Sequence, residues 1–212
     1  MKISTLFSSV ILVSTLIVIV GFDVIDNSAS SQAFEITLKH DCQQVYRAAV
    51  KLMEDEDWES VDLTPTNQYK KINDLSGIEY YYPKFSKNRY AEEFLTVSFK
   101  CHIKEYKEEN GSKGDNDYHV VLEDNDNPAI TMVAEIPDPA CPKVKKSHFL
   151  KNFKEARKMI DDNTTDERDG VWHKVTAREY TVYGVLYRDK QHGSQESQLP
   201  NFVEIHPVLE IK

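Results

Sequence analysis

From residue 94 onward the chain alternates between apolar and polar positions. Phe94 to Tyr106 sets Leu95, Val97, Phe99, Cys101 and Ile103 against Thr96, Ser98, Lys100, His102 and Lys104, which predicts a long half-buried strand. Asp117 to Glu123 alternates again with Tyr118, Val120 and Leu122 on one side. Ala129 to Ile136 predicts a third strand, stopped by Pro137 and Pro139. The period then lengthens. Phe149, Leu150, Phe153, Ala156, Met159 and Ile160 fall at three- and four-residue intervals, predicting a helix over 147–162 capped by Ser147. Two further strands follow, over 172–188 and 202–211. Upstream, Val45, Ala48, Ala49, Leu52 and Met53 predict a helix over 39–56 whose acidic run 54–57 is solvated. Residues 64–93 are turn-rich, with a short strand over 78–82.

Strand, strand, strand, helix, strand, strand is the order of the OB-fold barrel. The expected class is mainly β with helices (α+β): a five-stranded OB-fold-like barrel with a helix between strands 3 and 4, plus an N-terminal helical extension. A lipocalin-like barrel needs more strands and no mid-chain helix, and an immunoglobulin sandwich lacks that helix as well. The expected divisions are an export signal or membrane anchor over 1–33, an extension over 34–93 and the barrel over 94–212.

The leader follows from its own pattern. Lys2 precedes a 17-residue apolar stretch, 6–22, and small residues follow up to Ala33. That is the layout of an export signal, with cleavage after Ala33 or Ala29. Left uncleaved, residues 6–22 are just long enough to anchor the chain in a membrane, which is the one membrane contact expected. Either outcome places the rest of the chain in an exported setting, secreted, periplasmic or in the cell envelope.

Composition narrows the partners. The 212 residues carry 35 acids against 26 bases, a net charge of -9, and removing 1–33 takes away Lys2, Asp23 and Asp26 to leave -8. Duplex nucleic acid is therefore an unfavourable partner, because neutralising phosphates needs a Lys/Arg surplus. A small polar molecule, a glycan or a protein fits better. Cys42, Cys101 and Cys141 give one bridge and one odd thiol, with the connectivity open. Asn110 and Asn163 fit the N-glycosylation pattern.

Three segments carry a resemblance. They are residues 115–122 (Asp-Asn-Asp-Tyr-His-Val-Val-Leu), 132–139 (Met-Val-Ala-Glu-Ile-Pro-Asp-Pro) and 203–211 (Val-Glu-Ile-His-Pro-Val-Leu-Glu-Ile), joined by His192-Gly193. Together they resemble a family of exported bacterial proteins with D-G-D-Y-H, V-E-I-P-D-P and E-L-H-P-V-L motifs and no established reaction. Asn116 stands where that pattern has glycine, and Asn201-Phe202 where it has Asn-Gly.

Alternation also sorts the polar residues by face. If the apolar positions point to the core, Asp117 and His119, Glu135, and Glu204 and His206 lie on the opposite face of three strands, with His192 on the loop before the last. Imidazoles and carboxylates in this number suit a divalent metal, zinc or manganese, so His119, Glu135, His192, Glu204 and His206 are the candidate ligands. Asp117, on the same face, and Arg188, near the end of the fourth strand, are candidate ligand contacts. The plain alternative is a solvated outer face.

Two functions are weighed on this basis. The first is an exported OB-like binding or accessory module holding a metal or small polar ligand on its polar strand face. The second is a metal-dependent phosphoesterase, with Arg188 clamping the transition state. No Gly-rich phosphate loop, Gly-x-Ser-x-Gly or His-Glu-x-x-His is present.

Overall fold

The two-residue alternation folds as strands β1 (Thr96–Glu108), β2 (Tyr118–Asp124), β3 (Thr131–Ile136), β4 (Glu179–Arg188) and β5 (Val203–Ile211). Helices α1 (Ala48–Lys51) and α2 (Leu150–Asn163) complete the regular elements, together with short 3-10 turns. This computed structural model describes residues 47–80, 88–109, 114–165, 172–191 and 197–212. The strands form a closed barrel in the order β1-β2-β3-β5-β4, with α2 between β3 and β4 in the chain. That is the expected five-stranded OB-like architecture.

Closure depends on the length and bend of β1. Its residues 96–102 pair with β4, and residues 101–108 pair with β2. Cys101 and His102 pair on both edges, and a bulge between Ile103 and Glu105 turns the strand from one partner to the other. β5 lies antiparallel to β4 and parallel to β3, where Ala134 is opposite Ile205. Gly184 sits at the tightest point of the β4–β5 contact. A Cβ there would lie 2.5 Å from the Pro207 carbonyl oxygen and closer still to Ile205 Cγ2.

Phe99, Val120, Leu122, Met132, Ala134, Val182 and Ile205 fill the core, and α2 lays Phe153, Ala156 and Ile160 against it. Leu52, Met53, Ile72 and Leu75 from the extension join the same cluster. Within that extension two buried ion pairs hold its parts together: Arg47 to Glu93 at 2.5 Å, and Arg89 to Asp55 at 2.6 Å.

Several expected boundaries move. Within the described residues, the helix expected over 39–56 is the single turn Ala48–Lys51, and Met53 follows with φ 56, a left-handed conformation that interrupts the helix. The run 54–57 is not wholly solvated, because Asp55 is buried against Arg89. Helix α2 begins at Leu150, three residues late; Ser147 Oγ instead donates to the Leu52 carbonyl and accepts from Phe149 N–H. β4 starts at Glu179 instead of Trp172, since His173 and Val175 make only isolated bridges to Tyr106 and Thr164. Of the short strand expected at 78–82, residues 78–80 are irregular and the rest lies outside the described residues.

Asn116 and Phe202, where the chain departs from the glycines of the resembled pattern, have φ 62 and φ 55. Asn tolerates this left-handed conformation, whereas Phe is strained in it and is held by packing against Tyr80. Cys141 is disulfide-bonded, Cys101 is a buried free thiol, and Cys42 lies outside the described residues. The leader lies outside them as well. Among the described residues, no helix is long and apolar enough to cross a membrane.

Candidate metal centre

β2, β3 and β5 run side by side, and register fixes which polar residues meet. His119 pairs with Glu135 across β2–β3, and Ala134 with Ile205 across β3–β5. One residue further along both of the latter strands, Glu135 comes beside His206. On β4, Tyr187 pairs with Glu204. Alternation turns Val120, Ala134 and Ile205 to the core and this polar row to the other face.

That face is covered. Asp117 and His206 are 0% exposed, Glu135 and Glu204 about as buried, and His119 partly so. Part of the cover is the extension, from which Lys51 sends its ammonium to within 3.3 Å of Glu135 Oε2. The solvated surface allowed for by alternation is therefore a buried polar cluster.

His206 stands at its centre. Its Nδ1 lies 2.7 Å from Glu135 Oε2 and 3.4 Å from Glu204 Oε1, while Nε2 lies 3.6 Å from Asp117 Oδ2. The shortest of these is a hydrogen-bond distance, but the carboxylate approaches off the N–H direction. Both ring nitrogens and Glu204 Oε1 are buried without an aligned hydrogen bond. Asp117 Oδ1 accepts from the Asp138 N–H at 3.0 Å. On the outer side, His119 Nδ1 lies 3.2 Å from Glu135 Oε1 and 3.4 Å from Glu109 Oε1.

Charge in the cluster is unevenly divided. Burial raises the Glu135 carboxyl, but Lys51 and then the imidazoles of His206 and His119 outweigh it and hold the group well below its ordinary value. Asp117 is pushed well above its value by burial and by Asp115 and Glu135. Glu204 is pushed up by burial, Glu135 and Asp189. Burial and Lys51 lower His206 against the pull of Glu135, which favours a neutral imidazole. Burial would lower Lys51, but Glu135, Tyr187, Glu204 and Asp189 keep it well above its ordinary value. One ionised pair, Lys51 with Glu135, thus sits among acids held toward neutrality.

Ligand atoms of Asp117, Glu135 and His206 all lie within 4.8 Å of one another, and so do those of Glu109, His119 and Glu135. A metal bound at about 2.0–2.2 Å by N and O donors needs such a spacing. Beside Glu204 a cavity of about 10 Å³ is lined by Val133, Asp189, Gln198, Phe202, Val203 and Glu204, room for about one water.

The structure therefore unites Asp117, His119, Glu135, Glu204 and His206 from the sequence-derived set. His192 lies outside the described residues. Arg188 belongs to a different network: its side chain pairs with Glu92 and donates to the Glu79 carbonyl at 3.0 Å, and its N–H donates to Glu93 Oε1. Asn163, a glycosylation candidate, spends its amide nitrogen on the Met159 carbonyl at 2.8 Å. Sequence reasoning missed Lys51, Tyr187 and Glu109. Tyr187 was within reach, since it precedes Arg188 on a predicted strand; Lys51 carried no local signal, being 84 residues from Glu135. Set against known proteins, the chain finds no match among protein-family models, curated proteins or solved structures.

Proposed function

We propose that this chain is an exported OB-like binding module that holds a divalent transition-metal ion, zinc or manganese, between Asp117, Glu135 and His206. The observation that carries the reading is His206: fully buried, with both ring nitrogens turned to carboxylates and neither in an aligned hydrogen bond. Buried polar groups are normally satisfied, and an exception calls for an explanation. A divalent ion supplies one. It takes the lone pair of a neutral imidazole and the charge of Glu135, and offsets the burial that pushes the Asp117 carboxyl up. Mixed N and O donors favour zinc or manganese over calcium, which prefers oxygen alone.

Holding is better supported than turnover. Asp117, Glu135 and His206 are buried, the Glu204 cavity has room for about one water, and Arg188 is engaged by Glu92. Export is supported by the leader pattern and by the disulfide at Cys141, which suits an oxidising compartment.

Elemental analysis of protein purified without chelator tests the proposal. The expected result is a stoichiometric ion that is lost in His206→Ala, together with a rise in melting temperature when Zn²⁺ or Mn²⁺ is added to the stripped protein. Metal-free wild type whose melting ignores both ions would reject it.

A further inference from the structure

Lys51 is the one residue of the cluster that comes from outside the barrel. Its ammonium lies 3.3 Å from Glu135 Oε2, the same oxygen that lies 2.7 Å from His206 Nδ1. A metal held by Glu135 and His206 needs that oxygen, and a divalent ion cannot share it closely with an ammonium without strong repulsion in a buried site. The backbone around Lys51 is fixed independently. Arg47 pairs with Glu93, Arg89 donates to the Val50 carbonyl and pairs with Asp55, and Ser147 Oγ donates to the Leu52 carbonyl. Only the Lys51 side chain is left to move. The Tyr187 ring, 5.4 Å from Nζ, offers it a neighbouring place to rest.

We infer that Lys51 is a built-in competitor of the metal: its ammonium is the cation of the metal-free site, and a divalent ion binds by displacing it from Glu135. Lys51 thereby sets the affinity of the centre and biases it toward ions whose gain from two carboxylates and an imidazole exceeds that of a single ammonium. The inference rests on the proposed metal reading and adds to it a residue that is no ligand.

The test is isothermal titration of the full chain, stripped of metal, with Zn²⁺. Lys51→Met keeps the length of the side chain and removes its charge; Lys51→Arg keeps the charge. The expected result is binding tighter by on the order of tenfold or more in Lys51→Met and no gain in Lys51→Arg, tenfold being about 1.4 kcal/mol. Binding seen only in Lys51→Met overturns both the inference and the metal reading, since no ion would then displace the ammonium of the natural chain. Zn²⁺ binding by wild type with unchanged or weaker binding in Lys51→Met overturns the competitor role and leaves the metal reading standing. No binding by any variant overturns both. Should Lys51→Met fail to give a cooperative melt, ¹⁵N-lysine spectra of the wild type decide: the buried ammonium signal must shift on Zn²⁺ saturation, and a signal that stays in place overturns the inference.

Discussion

Asp117 and Glu204 show what the cluster costs. Both carboxyls are raised by burial, so each binds its proton more tightly in the folded chain than in the unfolded one, where its value is about 4. Their contribution to stability is complete below that unfolded value and is lost as the pH climbs toward the raised folded one. Glu135 runs the other way: its lowered value contributes above about pH 4 and fades in acid. We expect the metal-free protein, kept in chelator, to lose stability as the pH rises from about 4 toward the alkaline side. Asp117→Asn and Glu204→Gln should flatten that loss and raise stability at pH 8 by about 1–3 kcal/mol each, and Asp117→Asn should also abolish binding of the proposed ion. Urea melts across that range check both, and destabilisation at pH 8 by either substitution would show that the acid has a structural duty. Cys101 is simpler. Burial pushes its thiol up to about 12, so it should ignore a thiol reagent until the chain unfolds, as absorbance with and without denaturant will show.

At the scale of elements, the extension is bound to the barrel by apolar contact and by charge, Lys51 to Glu135 and Glu92 to Arg188. Arg47 and Glu93 bury a bidentate pair, and Glu93 also accepts from the Arg188 N–H on β4. Glu93→Ala removes the acceptor shared by the Arg47 guanidinium and the Tyr90 and Arg188 N–H groups, and should cost about 3–5 kcal/mol in a urea melt. Gly184→Ala should cost about 3 kcal/mol or more, because the new methyl meets the Pro207 backbone, which cannot step aside as a side chain can. Elements of this kind were unevenly legible. The strands and α2 were written in local periods of two and of three to four residues, and so was the grouping of Asp117, His119, Glu135, Glu204 and His206 on one face. What alternation could not say is that the face is covered, since part of its cover comes from a segment far away in the chain. Within the described residues, the helix expected over 39–56 is cut to one turn for a related reason: burial of Asp55 against Arg89 and the left-handed Met53 are tertiary demands that override helical spacing.

For the whole molecule, closure and the candidate site are the same event. His119 and Asp117 come with β2 and its approach, Glu135 with β3 and His206 with β5, and the last two strands meet in parallel where Ala134 faces Ile205. Removing metal from the loaded protein should therefore speed hydrogen exchange first in β3 and β5, while β1 and its β4 partner hold their protection. Equal acceleration in all five strands would place the ion's effect elsewhere.

The parallel seam between β3 and β5 gives the cluster a further meaning. The two strands pair in parallel across a connection that contains the helix and β4, so the pairing that sets Glu135 beside His206 spans the longest crossover of the barrel. The proposed ion, held by Glu135 and His206, would then act as a rivet between two strands that the chain itself joins only through the helix and β4.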